Sequence, residues 1–465
     1  GTEMDDNKQK ALQAALAQAA PAELARLTAK ALLEPLTQRQ RRMRGEWDEP
    51  FTFLDHEFLP ASPAQGPFFD LLQYAPEHGL RLVQQIVGHA IMHASGGRPA
   101  GSNAIELALP GSGRAFPWTQ TYFWSRHSHY YSVTSALMAL EAWGHRRLDA
   151  GEPFERVLTD VLGPPGSSAA FLLVAVDLII SHWPKSADAA TAFLGSPELL
   201  CLDHDRPIHD QFELPDFFGL KALQSEPSGP TSTADLKRRP SRRVTLDEVI
   251  GNYTHLVLPE QRAKLIALLQ QAATRLGAPA ATATLADPAF MVLHALNSAD
   301  PANWREVTVT KKDGSTVTGR QYVSPAPEEQ HLQALRDAAA PRQTDSSMQT
   351  TISLATENPS YLSPEGRLAI VAWAQRAGDG SATTEDADDS HSVRMREEAI
   401  LTAAMIVMRD GDDALRAKYG EWAHTQLSRA VATPDDDVGR QVRAGLRFNP
   451  PAIAFNGLIH ALRHR

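Results

Sequence analysis

Along most of this chain apolar residues recur at steps of three and four, the period of one face of an α-helix. Tyr130, Val133, Leu137, Leu140 and Gly144 form one such stripe. Phe154, Val157, Leu158, Val161 and Leu162 form a second, opening behind the turn Gly151-Glu152-Pro153. From Ser168 to Trp183 the period vanishes because almost every residue is apolar. A helix apolar all round is either enclosed by protein or set in a membrane, and a span needs ~20 apolar residues. This run is shorter, contains Asp177 and ends at Pro184, so it is predicted to be the inner helix of a helical domain. Gly163-Pro164-Pro165-Gly166 precedes it, with Ser167 or Ser168 placed to cap its first amides. Five consecutive helices joined by short turns are thus expected between 128 and 203, and short turns favour antiparallel neighbours.

Further helices are expected at 246–256, 259–276, 287–297, 328–338, 346–356, 363–377, 392–409, 412–431 and 451–462. The period switches to two in Glu306–Arg320, predicting a β-hairpin over about 306–323 that turns at Asp313-Gly314 and leans on neighbouring helices. Residues 101–117 show no period and read as a long loop. Residues 224–243 are polar with a basic end and read as a linker, and 378–392 as an acidic loop. The expected fold class is all-α: a helical-repeat or α-solenoid-like array of antiparallel helices with one inserted β-hairpin. The expected division is an N-terminal helical segment (1–45), a helical domain (46–223), a linker (224–244) and a second helical domain with the hairpin (245–465).

A net charge of −10 argues against a general nucleic-acid binder. Residues 1–12 are polar and show no secretory pattern, and the one cysteine, Cys201, excludes an intrachain disulfide. A cytoplasmic protein with no membrane span is expected.

The chain contains no G-x-x-x-x-G-K-[ST], C-x-x-C, H-E-x-x-H or G-x-S-x-G, so no nucleotide or other cofactor is expected. Leu202–Asp210 is the most metal-like stretch, with His204, His209 and Asp210 as candidate ligands and His182 and Asp247 as possible completions in space. His209-Asp210 resembles the paired motif of HD-domain phosphohydrolases, which are all-α and carry the pair on a helix. Pro207 just before it argues against a helix here, and turn-making by Asp and His is the plainer reading. Trp124, Arg126, His127, His129, Tyr130 and Tyr131 concentrate aromatic and polar groups of the kind enriched at binding hot spots, and are the candidate partner-binding residues. Ser128 or Ser132 is placed to cap the helix that follows. Asp177, inside the apolar helix, calls for a buried hydrogen-bond partner.

Residues 135–184, SALMALEAWGHRRLDAGEPFERVLTDVLGPPGSSAAFLLVAVDLIISHWP, resemble the helical, sensor-like region of large bacterial NTPases of the signal-transducing, antiphage-defence (STAND) type. That resemblance implies a helical array sensing a partner, with NTPase and effector functions carried elsewhere. The expected function is therefore a non-catalytic protein-interaction or sensor module within a larger bacterial defence-type assembly, with a protein partner and homo- or hetero-oligomerisation. The alternative is an all-α, metal-dependent HD-like phosphohydrolase.

Overall fold

The computed structural model describes residues 2–34, 51, 55, 58–98, 103–111, 113–128, 130–211, 226, 229–310, 315–357, 361–378, 390–432 and 450–463. It is 72% helical, so helix packing rather than sheet forms the core. The chain divides into two compact units, 1–331 and 332–465.

In the first unit, α1 (Thr2–Ala19) and α2 (Pro21–Leu33) precede α3 (Phe68–Tyr74) and α4 (Pro76–Ala94). A small antiparallel hairpin, β1 (Ala104–Leu107) and β2 (Arg114–Pro117), follows in register Ile105↔Phe116. It corrects the expectation of a loop over 101–117: Ile105, Leu107 and Phe116 are buried, and four-residue strands are too short to show a period. A 3-10 turn (Thr119–Ser125) leads into the five expected helices: α5 (Tyr131–Asp149), α6 (Phe154–Leu162), α7 (Ala170–Ser181), α8 (Ala187–Leu194) and α9 (Pro197–His204). Every residue of α7 from Ala170 to Ile180 is buried, including Asp177. Around it pack α5, α6, α8 and the 3-10 turn. Gly144 lets α5 approach closely, since a Cβ there would stand 2.8 Å from the Leu178 side chain.

The start of α5 is capped by neither Ser128 nor Ser132. Asp55, from far earlier in the chain, accepts the Tyr131 and Ser132 amides at 3.1 and 2.9 Å. A carboxylate suits the positive end of a helix.

The chain continues through α10 (Arg206–Gln211), α11 (Thr233–Lys237), a 3-10 turn (Pro240–Arg242), α12 (Leu246–Leu256), α13 (Pro259–Leu276) and α14 (Pro288–Ser298). The expected linker is thus folded where it is described. Ser232 and Asp235 form a reciprocal capping box at α11, and Leu236 and Ser241 are buried. Its basic end is divided: Arg242 meets buried charge, as shown below, whereas Arg238 is exposed. Strands β3 (Trp304–Thr310) and β4 (Thr316–Tyr322) form the expected hairpin. Its open end leans on helices: Trp304 donates to the Ser298 carbonyl at 2.8 Å and lies against Gly251, and Tyr322 donates to Glu328 at 2.7 Å. The turn at Asp313-Gly314 lies outside the described residues.

The boundary between units falls within α15 (Ala326–Glu357), one helix where two were expected. In the second unit α16 (Pro364–Gly378), α17 (Ser390–Asp410), α18 (Asp413–Ala432) and α19 (Pro450–Arg463) enclose Trp373, Ala403, Met405, Leu427 and Ile453. The acidic loop expected at 378–392 falls largely outside the described residues. Among them, no helix is long and apolar enough to cross a membrane. The all-α class with an inserted hairpin is the observed architecture.

Candidate functional site

Three of the residues singled out for chemistry, Arg126, Asp177 and Asp210, meet on the buried flank of α7 and there hold one another. Arg126 leaves the end of the 3-10 turn with its side chain only 7% exposed. Its guanidinium donates to Asp177 on α7 at 2.8 Å, to Asp210 on α10 at 2.5 Å and to Glu141 on α5 at 3.5 Å. Arg242, from the end of the second 3-10 turn, donates to both Glu141 oxygens at 2.7 and 2.8 Å and to Asp210 at 3.2 Å. Arg206 reaches Asp203 at 2.7 Å and Asp210 at 3.1 Å, and also donates to the Ser241 and Val244 carbonyls. Asp203 accepts the Tyr122 hydroxyl at 2.8 Å and the Leu246 amide at 2.7 Å. Three arginines and four carboxylates from well-separated parts of the chain thus form one interior network.

Its charge does not close: three positive against four negative leaves one excess negative charge away from water. Burial pushes the carboxyls of Asp177 and Glu141 up to about 7 each, while Arg126 pulls both back down. Physically the pair competes for one proton near neutrality, and a titration there belongs to the pair. The same burial drives His145 down to about 3 and His182 down to about 4. These rings are neutral at pH 7, with His145 Nδ1 3.0 Å from His182 Nε2.

This geometry revises several expectations. Arg126 faces the interior and cannot serve on a contact surface. Trp124 is half-buried, its ring edge-on to Tyr130 at 6.5 Å. Tyr130 is half-buried, its hydroxyl 3.4 Å from His93 Nδ1, and Tyr131 is also half-buried at the start of α5. Of the six partner-binding candidates, His127 is exposed among those described, and His129 lies outside the described residues.

The metal candidates scatter. His204 Nδ1 sits 3.0 Å from Asp247, a hydrogen bond that raises the imidazole above its ordinary value. His209 stacks on Phe123 with ring centroids 3.6 Å apart and faces His127 at 3.3 Å. Asp210 is taken by three arginines. His209-Asp210 does lie on a helix, against expectation: Pro207 stands in the first turn of α10, where its missing N–H costs nothing. Among the described residues no group of three or more His, Cys, Asp or Glu side chains is placed to hold a metal ion.

Sequence reasoning singled out Asp177 and Asp210 and sought a buried partner for Asp177, but it missed Arg206, Arg242, Glu141 and Asp203. Glu141 was legible in principle, since it falls four residues after Leu137 on the apolar stripe of α5. Arg242 was hidden in a stretch whose composition matches a solvated linker. No protein-family model matches the chain, and no curated protein matches it.

Proposed function

We propose that this chain is a non-catalytic helical module that binds or senses a protein partner, as part of a larger bacterial, cytoplasmic defence-type assembly. The observation that carries the reading is the engagement of Asp210 by Arg126, Arg206 and Arg242. It turns the one metal-like motif into a structural tie between α10, the 3-10 turns and α7. Buried ion networks of this kind contribute little net stability but favour one arrangement over its competitors, which suits a rigid recognition body. The resemblance of 135–184 to STAND-type sensor regions supports the same reading.

The HD-like alternative keeps one point in its favour, the helical placement of His209-Asp210. Two measurements on purified full chain separate the readings. The module reading expects a defined protein, recovered from a bacterial extract in stoichiometric amount, whose co-purification survives a chelator. It is overturned if the chain alone hydrolyses phosphate esters with about one bound transition metal, both lost in His209→Ala.

A further inference from the structure

A second feature of the first unit lies away from the ion network. A cavity of about 700 Å³ elsewhere is lined by charged groups that pair among themselves, such as Arg239 with Asp149. The groove between α4 and the segment leading into α7 is different in kind. It encloses about 440 Å³, within the range of sites for small organic ligands. Its floor is one face of α4: Gln84, Val87, Gly88, Ile91, Met92 and Ser95, at the i, i+3, i+4, i+7, i+8, i+11 spacing of a helical stripe. That stripe is about 16 Å long at the rise of an α-helix. Trp118, Pro164, Pro165 and Phe171 line it as well.

Two observations point to a ligand. The first is Gly88, in the middle of α4, where glycine weakens a helix. The other described helical glycines of the first unit have packing reasons: a Cβ at Gly79 would strike the Leu72 backbone at 2.6 Å, and at Gly251 it would strike Trp304 at 2.3 Å. At Gly88 an added Cβ would meet nothing within 4 Å. The missing side chain serves no contact within the described chain; it keeps the groove floor open. The second is Ser168. Neither serine before α7 caps it: Ser167 turns to the Pro164 carbonyl at 2.8 Å, and the N-cap position is Ala169. Ser168 is 5% exposed, lines the groove, and its hydroxyl has no hydrogen-bond partner. A buried hydroxyl left unsatisfied is costly. It stands at the positive end of a twelve-residue helix, with Arg98 also lining the cavity.

We infer that this groove binds a small organic acid with an apolar body, its carboxylate at Ser168 and Arg98 and its body along Val87, Gly88, Ile91 and Met92. Arg98 brings a positive charge and the Ser168 hydroxyl has a proton to donate, which suits an anion, whereas the walls are aliphatic and aromatic. The volume fits a small molecule rather than a protein face, which needs on the order of 1,000 Å². This inference is independent of the partner reading above, and its failure would leave that reading untouched.

Isothermal titration of the full chain tests it, with decanoate below its micelle concentration as the aliphatic probe, 3-phenylpropionate as the aromatic probe and decan-1-ol as the uncharged control. One acid is expected to bind at one per chain, more tightly than the alcohol, and which acid binds identifies the body. Gly88→Leu projects a side chain into the groove from a Cβ that meets nothing within 4 Å, and should weaken the acid at least about tenfold without lowering the melting temperature. Met92→Glu, at a position 66% exposed, keeps a good helix former and should do the same by charge. Ser168→Ala should weaken the acid by about tenfold and leave the alcohol unchanged. No binding by either acid, equal binding of acid and alcohol, or full binding by both groove variants overturns the inference.

Discussion

Replacing Arg126 with methionine keeps most of the side chain's bulk and deletes the cation closest to Asp177, which also touches Glu141 and Asp210. Arg242 remains against all three, but its contact with Asp177 is the long one at 3.7 Å, so Asp177 loses its close partner. Removing one member of a buried ion pair costs ~3–5 kcal/mol, because the other charge is left in a medium that cannot solvate it. The loss should depend on pH in a definite direction. Asp177 and Glu141 already sit at about 7, above their unfolded values, and deleting Arg126 raises them further. A raised carboxyl means that the native state binds more protons than the unfolded chain. Its contribution is full below the unfolded value and is lost as pH rises through the folded one. Arg126→Met should therefore cost ~3–5 kcal/mol at pH 8 and clearly less at pH 5, where protons replace the missing cation. Native-state hydrogen exchange of the α7 amides reads this locally, without assuming that both units unfold together. The double variant Arg126→Met/Asp177→Leu should recover part of the loss, since the stranded carboxylate is gone. Equal losses at both pH values, or a loss under ~1 kcal/mol, would refute the reasoning.

Other expectations follow from the same network. Asp177→Asn should remove the pair's shared proton, so the stability advantage of the natural chain over this variant should shrink between pH 5 and pH 8. Between pH 5 and pH 8 the shrinkage is roughly 3 kcal/mol at most for a carboxyl moved from 3.8 to about 7, and an unchanged advantage would count against the shared proton. Leu173→Asp places a new charge at a fully buried position of α7 with no cation provided for it, and should cost on the order of 3 kcal/mol or more in a denaturant melt. Asp177→Leu should also be damaging, because it removes one of the two close carboxylate partners of Arg126. Trypsin should spare the bond after Arg242, whose side chain is 9% exposed and tied to Glu141; an early fragment ending at Arg242 would contradict the placement.

The helical frame was legible because its signals are periodic and punctuated. The expected ranges 246–256 and 259–276 match α12 and α13 residue for residue, each with a capping residue before it or proline in its first turn. The hairpin was legible from its period of two. What stayed hidden depends on contacts between distant residues. Asp55 caps α5 from 76 residues away, and Arg242 reaches Glu141 over 101 residues of sequence. Local composition cannot show that a basic, proline-containing stretch will meet buried carboxylates. It was also misled at Pro207, which begins α10 rather than preventing it. Arg126, one of the hot-spot residue types of 124–131, belongs instead to a buried ion network, and spacing alone does not separate the two uses.

Asp210 is a structural anchor held by three arginines. The unfolding free energy of Asp210→Asn against the natural chain, each with and without EDTA, tests it most directly. The ion network predicts a loss of ~3 kcal/mol or more in the variant, with the natural chain equally stable in either buffer. A natural chain that loses stability in EDTA, beside a variant that does not respond, would show that Asp210 holds a metal ion and would contradict the account.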